Sequence, residues 1–355
     1  MKLDKIRVGI IGTGRISGLH AIEYANNPHT EIVALCDRDL NLAAECANAW
    51  GVPQATLCED YRQLLALDTV DLVEILVPHH LHKPIALAAI AAGKALSLQK
   101  PMCMNLDDAT EVIDAAASAK VPFKVFENFI FYPPVMKAKS LVDEGAIGEP
   151  LTIRIKSNPG KSKTAWAIPA AAAAWRQDKS QAGGGPLVFD DGHHKFALAW
   201  HFMGQAEEVH AWIGETTAPD GFVFDAPALI SFKFPNNRYG NLEVVYSPEL
   251  EIVTRHYAQD DRVEITGTKG VIWINQGHGA LGSPAPVSLY RDGAMTEFSG
   301  METGWEASFV HSTRHFIHAL RTGQPPKLSG EEGREVLKFT LAAQQSARLG
   351  RAVSI

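Results

Sequence analysis

The chain of 355 residues is poor in the features that mark several protein classes. It has four cysteines, Cys36, Cys46, Cys58 and Cys103, and no metal-ligand spacing relates them. A chain this long does not depend on disulfides, so reduced, buried thiols are expected and a metal site is not. No apolar stretch approaches the roughly eighteen residues of a membrane span. No basic block occurs and the net charge is -7, which argues against nucleic acid and anionic membrane surfaces as partners. Internal repeats and coiled-coil heptads are also missing. Met1-Lys2-Leu3-Asp4-Lys5 enters the first apolar run almost at once, so a cytoplasmic protein is expected. What remains is ordinary globular composition, 46% hydrophobic and 21% charged, over a length that exceeds one compact core.

The most informative stretch runs from Ile6 to Asp37. Ile6, Val8, Ile10 and Ile11 make an apolar strand that enters Gly12-Thr13-Gly14-Arg15-Ile16-Ser17-Gly18. The glycines permit a tight turn whose N–H groups approach a pyrophosphate at a helix N-terminus. A second apolar run, Ile32 to Leu35, ends in Asp37, at the spacing suited to adenosine ribose hydroxyls. Gly12, Thr13, Gly14, Arg15, Ile16 and Asp37 are therefore the expected nucleotide contacts. A carboxylate there favours NAD, because it repels a 2′-phosphate. Arg38 can stack on adenine or reach a phosphate, which keeps NADP as the minority alternative.

Short apolar runs near 6–11, 31–36, 72–77, 95–98 and 123–126 alternate with amphipathic stretches near 15–26, 39–49, 81–92 and 105–118. This rhythm predicts a doubly wound parallel sheet of Rossmann type over residues 1–126. Later segments alternate instead, as in 151–156, 228–234, 241–246 and 263–266, with helices near 305–321 and 331–349. They predict an α+β domain over 127–355 with a large, open, mostly antiparallel sheet. The fold class expected is α/β. Between Trp166 and Gly185, five alanines and a triple glycine flank Trp175-Arg176, which reads as a mobile segment or a plain surface excursion.

Two constellations carry chemistry. Gln99-Lys100-Pro101 follows a short strand, so Lys100 stands at the carboxyl end where such sheets bind ligands, or else is a solvated loop lysine. Asp190-Asp191-Gly192-His193-His194 opens an apolar helix, and Asp190 and His194 are four apart, so they share a face if both are helical. A carboxylate there can orient an imidazole that accepts a proton near neutral pH. The bland alternative makes an aspartate the helix N-cap, and a metal site that includes His201 is a minor competitor.

Together these motifs resemble the glucose-fructose oxidoreductase / inositol dehydrogenase (Gfo/Idh/MocA) family. The likeness spans Gly12-x-Gly14 with His20, the segment Val77-Pro78-His79-His80-Leu81-His82-Lys83-Pro84, Lys100-Pro101 with Asn105, Trp175-Arg176, and Asp190-x-Gly192-x-His194. It implies a Rossmann domain followed by an α/β domain whose open sheet often mediates homodimers or homotetramers. It implies that Lys100, Asp190 and His194 act together on a substrate hydroxyl. Val77, Pro78, His79, His82, Gln99, Lys100 and Asn128 are then expected near the cofactor as well. Three departures stand out: Gln99 replaces a glutamate, His79 or His80 an asparagine, and Ala197 an aspartate.

The activity so implied is NAD-dependent hydride transfer between nicotinamide and a secondary alcohol or ketone of a sugar, glycoside or cyclic polyol. Substrate contacts expected are Lys100, Asp190 and His194, with Arg154 and Lys156 on one strand face and Trp175-Arg176 beside them. Arg154 and Lys156 can equally decorate a solvent-facing or interface strand. The rivals are an NAD-dependent glycosidase that uses transient redox with tightly held cofactor, and a non-catalytic NAD-sensing regulator.

Overall fold

The computed structural model describes residues 5–277, 279 and 281–355. By contact the chain divides into two compact units. The first is the chain up to Asn128 together with Phe309–Leu337; the second is Phe129–Ser308 together with Lys338–Ile355.

In the first unit, β1 (Ile6–Ile11), β2 (Thr30–Cys36), β3 (Thr56–Cys58), β4 (Leu72–Ile75), β5 (Ala95–Gln99) and β6 (Phe123–Phe126) form a parallel sheet. Helices α1 (Ser17–Asn26), α2 (Leu40–Ala49), α3 (Tyr61–Leu65), α4 (His82–Ala91) and α5 (Leu106–Ala119) connect the strands. The order β3-β2-β1-β4-β5-β6 reverses between β1 and β4, and ligands of such sheets bind outside the carboxyl ends at that switch. Beyond Arg7, β1 has no polar side chain on either face, as both are covered. Val8 and Ile10 join a core with Tyr24, Ala43, Ala47, Phe316 and Ile317, whereas Gly9 faces Leu64 of α3 so closely that a Cβ there would lie 2.7 Å from Leu64 Cδ2.

The second unit holds α6 (Pro133–Asp143), β7 (Pro150–Pro159), α7 (Ala170–Gln177), α8 (Lys179–Ala182) and α9 (Gly192–Met203). Strands β8 (Glu208–Ile213), β9 (Thr216–Thr217), β10 (Val223–Phe224), β11 (Ala228–Phe234), β12 (Arg238–Val244), β13 (Gln259–Gly267), β14 (Gly270–Ile274), β15 (Val287–Arg291) and β16 (Ala294–Phe298) follow. Helices α10 (Trp305–Thr322) and α11 (Gly330–Leu349) and strand β17 (Val353–Ser354) end the chain. The sheet order is β16-β15-β14-β13-β7-β12-β11-β8-β17. β7 and β12 pair in parallel and the other neighbours are antiparallel, so the expected mostly antiparallel sheet is present. Among the described residues no helix is long and apolar enough to cross a membrane.

A lysine is among the ionisable groups buried in the first unit. Lys124 on β6 is fully buried, and its ammonium donates to the Ser312 carbonyl and Oγ, both at 2.7 Å, over the Phe126 ring. Burial pulls its pKa down to about 7 against the opposing pull of Glu74 and Glu127. Between that value and the ordinary 10.5, the unfolded chain binds a proton that the folded chain has released, so stability rises with pH. The slope reaches about 1.4 kcal/mol per pH unit for one proton. Urea unfolding from about pH 7 to about pH 10 is expected to show this rise and Lys124→Met to flatten it. An equal slope in the variant refutes the assignment.

Candidate active site

The nucleotide turn follows β1. Gly12 has φ of 95° and a Cβ there would run into the Leu76 carbonyl oxygen, so only glycine fits. Gly14 is exposed with nothing within 4 Å of where a Cβ would stand, which leaves its backbone open to an approaching phosphate. Ser17, in the third glycine's place, is buried and its hydroxyl donates to the Gly14 carbonyl at 2.6 Å, so the departure tightens the turn.

Asp37 lies just beyond β2. Its Oδ2 accepts from the Thr13 N–H at 2.8 Å and the Thr13 hydroxyl at 3.1 Å, and its Oδ1 from the Asp39 N–H at 3.1 Å. A carboxylate has about four lone-pair sites, so capacity remains for a ribose hydroxyl. Arg15 and Ile16 are half-buried at the helix start and Arg38 is exposed. These residues fit a dinucleotide.

The strand-end residues of the same unit divide into two kinds. Val77 and Pro78 are half-buried, while His79 is buried in a short 3-10 turn, His79–Leu81. His82, expected to touch the cofactor, is instead fully buried, with Nδ1 2.8 Å from the Pro101 carbonyl and Nε2 2.9 Å from the Val77 carbonyl. It braces two loops and presents no ring face to a ligand. Burial, then the neighbouring His79, pushes its pKa down to about 3, so the ring is neutral and only one of those nitrogens donates. The Lys100-Pro101 bond is cis. Gln99 turns its amide onto His20 and the Lys100 N–H. Asn128, two residues after β6, is buried.

In the second unit the 190–194 motif is built differently from one helical face. Pro186–Asp190 is a π-helical turn and α9 starts only at Gly192, so Asp190 and His194 are not successive turns of one α-helix. Asp191 holds the N-cap position without a side-chain cap bond. Its carboxylate goes to Lys195 at 2.6 Å. Asp190 accepts from Arg176 Nε at 3.0 Å. Burial would lower the Arg176 pKa, but Asp190 outweighs it and the guanidinium is held charged. Arg176 also lies over the Trp175 ring at 4.3 Å. His194 is buried and stacks on Phe129 at 4.2 Å with 13° between the rings.

The stretch expected to be loose is packed at its glycine end. A Cβ on Gly184 would strike Phe189 and Gln344, and one on Gly185 would strike the Asp225 carboxylate, which accepts from the Leu187 and Val188 N–H groups. These glycines serve close approach.

Arg154 and Lys156 stand on the other side of β7. They are exposed and pair with Glu264 at 3.5 Å and Glu243 at 3.3 Å, while the alternating Ile153 and Ile155 are buried. With α9 packed on the buried face, the structure does not bring these cations to Asp190 and His194. Sequence reasoning missed Phe129, Lys195, Gln259 and Asp261. Lys195 is fully buried between Asp191 and Asp261, and the i,i+4 spacing of Asp191 and Lys195 was the available signal. Among the described residues no three His, Cys, Asp or Glu side chains gather for a metal.

Comparison with known proteins agrees across the whole chain. The Gfo/Idh/MocA model for the oxidoreductase-family NAD-binding Rossmann fold matches residues 6–127, and that for the family's C-terminal alpha/beta domain matches residues 139–355. Levoglucosan dehydrogenase of Pseudarthrobacter phenanthrenivorans is 31% identical over 232 residues, 62% of this chain and 57% of that protein. Myo-inositol 2-dehydrogenase of Thermotoga maritima is 27% identical over 368 residues, 99% of this chain and 98% of that one. A solved levoglucosan dehydrogenase, in complex with NADH and levoglucosan, shares the fold with a TM-score of 0.81 and 23% identity over 99% of each chain. With both domains matched in order, the chain belongs to the Gfo/Idh/MocA oxidoreductase family and carries its NAD-binding Rossmann domain.

Proposed function

We propose that this protein oxidises a secondary alcohol of a sugar, glycoside or cyclic polyol, reversibly, with NAD. The observation that carries the reading is the buried His194 on Phe129, near in sequence to an Asp190 carboxylate fixed by Arg176. NAD, when bound, supplies the hydride acceptor. The chain's residues do the rest: a His194 ring nitrogen takes the hydroxyl proton, Asp190 supplies the negative charge that favours the resulting imidazolium, and Lys100 Nζ hydrogen-bonds the reacting oxygen. Asp37 supports NAD over NADP, since a 2′-phosphate would meet its carboxylate. The dehydrogenase relatives that act on levoglucosan and myo-inositol support the substrate class.

The test is reduced-cofactor formation against inositols, aldoses, uronic acids and glycosides, with NAD and NADP in parallel. Turnover with NAD on one class is expected. Absence of net turnover, with cofactor recovered from denatured protein, overturns it in favour of a closed-cycle glycosidase.

The open face of the large sheet supports self-association. Trp212 opposite Leu229, and Tyr290 opposite Met295, are cross-strand pairs on that face, each residue more than 40% exposed. A homodimer or homotetramer built on it is expected, and a monomeric mass by light scattering refutes it. Four free cysteines support a cytoplasmic location; export of the protein to the medium or periplasm on cell fractionation refutes it.

A further inference from the structure

Behind Lys100, within the first unit, runs a chain of buried polar groups that the proposed chemistry does not use. It begins at Glu74, a fully buried carboxylate in the middle of β4. Tyr24 Oη donates to it at 2.7 Å, Ser97 Oγ at 3.1 Å, and His20 Nδ1 lies 2.8 Å from the same oxygen as Ser97. His20 is fully buried too, with its ring 4.0 Å from Phe126 and 5.1 Å from Phe309. Its Nε2 is 2.9 Å from Gln99 Nε2, and Gln99 Oε1 accepts from the Lys100 N–H at 2.8 Å.

The proton positions follow from one fixed donor. The Lys100 backbone N–H can only donate, so the Gln99 amide must offer it the oxygen. The amide NH2 then faces His20, whose Nε2 must carry a lone pair. The remaining ring proton sits on Nδ1 and goes to Glu74. Each group has one arrangement that leaves none of these contacts donor against donor or acceptor against acceptor.

We propose that Gln99, locked by neutral Nδ1–H His20 and by Glu74, is a positioning residue that holds the Lys100 main chain in place. This rests on the role given to Lys100 above. On the other side of that lysine, His82 lies within hydrogen-bond distance of the Pro101 carbonyl. The loop bearing Lys100 is therefore gripped through consecutive residues. The choice of glutamine has a charge logic. A glutamate at 99 would present an acceptor to both neighbours and so require a proton on His20 Nε2. That would place an imidazolium between two carboxylates, with Tyr24 on its own helix and the Lys124 ammonium of β6 acting on Glu74 as the other ionisable neighbours. Glutamine keeps the relay neutral from His20 outward.

The experiment combines histidine-selective 15N NMR with kinetics on Gln99→Leu and Gln99→Glu. In the wild type His20 is expected to show an unprotonated Nε2 and a protonated Nδ1; in Gln99→Glu both nitrogens are protonated. Gln99→Leu, which cuts both bonds, is expected to lower kcat by about 10- to 100-fold with little change in NAD affinity. Gln99→Glu, which keeps an oxygen on the Lys100 N–H, recovers most of that loss and adds a step to the pH profile. A doubly protonated His20 in the wild type, or an unchanged kcat in Gln99→Leu, overturns the proposal. If Lys100→Met retains turnover, the reading of Lys100 fails instead, and the NMR arm still decides whether the relay exists.

Discussion

His194→Ala and Lys100→Met are each expected to lower kcat by about 10²- to 10⁴-fold while leaving the affinity for NAD within a few-fold of wild type. The two halves of this expectation have separate causes. The nucleotide turn and Asp37 belong to the first unit, and neither variant touches the Gly12 turn or the Thr13 bonds to Asp37. The imidazole belongs to the second unit, where it lies flat on Phe129. Removing it deletes the proton acceptor and leaves an aromatic face exposed to water. Lys100→Met keeps the length of the side chain and deletes its hydrogen-bond donors. Cofactor titration by NADH fluorescence, beside steady-state kinetics, separates binding from chemistry. Loss of cofactor in both variants sinks the assignment of roles, and retained turnover in either removes that residue from the mechanism.

Lys195→Met is expected to destabilise the protein by about 3–5 kcal/mol, a fall in melting temperature on the order of 10 °C. The ammonium is fully buried, 2.6 Å from Asp191 and 3.2 Å from Asp261, with the Phe129 ring 4.9 Å away. Burial alone would lower its pKa; the two carboxylates prevail and raise it. Without the ammonium, the Gln259 amide, 3.2 Å from each carboxylate, remains between two acids. That amide cannot neutralise either charge. Adding Asp261→Asn to Lys195→Met is expected to recover part of the loss. A change below about 1 kcal/mol by chemical denaturation shows that water reaches the acids and that the pair is not structural. Phe129 also makes this variant informative about the site, because Lys195 and His194 contact the same ring.

Much of this was legible in the sequence where local pattern and burial coincide. The strand expected at 6–11 is Ile6–Ile11, that at 31–36 is Thr30–Cys36, and the last helices at 305–321 and 331–349 are Trp305–Thr322 and Gly330–Leu349. Buried parallel strands are continuous apolar runs, and long amphipathic helices repeat their signal. β3 and α3, three and five residues long, are too short to leave a pattern. The site was legible by residue type and not by geometry. Arg154 and Lys156 do share a strand face, as their spacing implies. Which face was not in the spacing, since it is set by the helix that packs on the other side. Lys195 is read correctly only once Asp261, 66 positions later, is known to lie beside it. Glu74 was overlooked for the same reason, although a glutamate within Leu72-Val73-Glu74-Ile75 was a visible anomaly in a strand buried on both faces.

The return of Phe309–Leu337 to the first unit has a consequence for synthesis. That unit's core includes Phe316, Ile317 and Ala319, and Lys124 finds its acceptors on Ser312. A nascent chain that has emerged only as far as Asn128 therefore lacks one wall of the core and leaves a buried cation without its carbonyl. The contacts that complete this core become available only once Phe309–Leu337 has been synthesised. The finished nucleotide-binding unit thus joins segments made at opposite ends of synthesis.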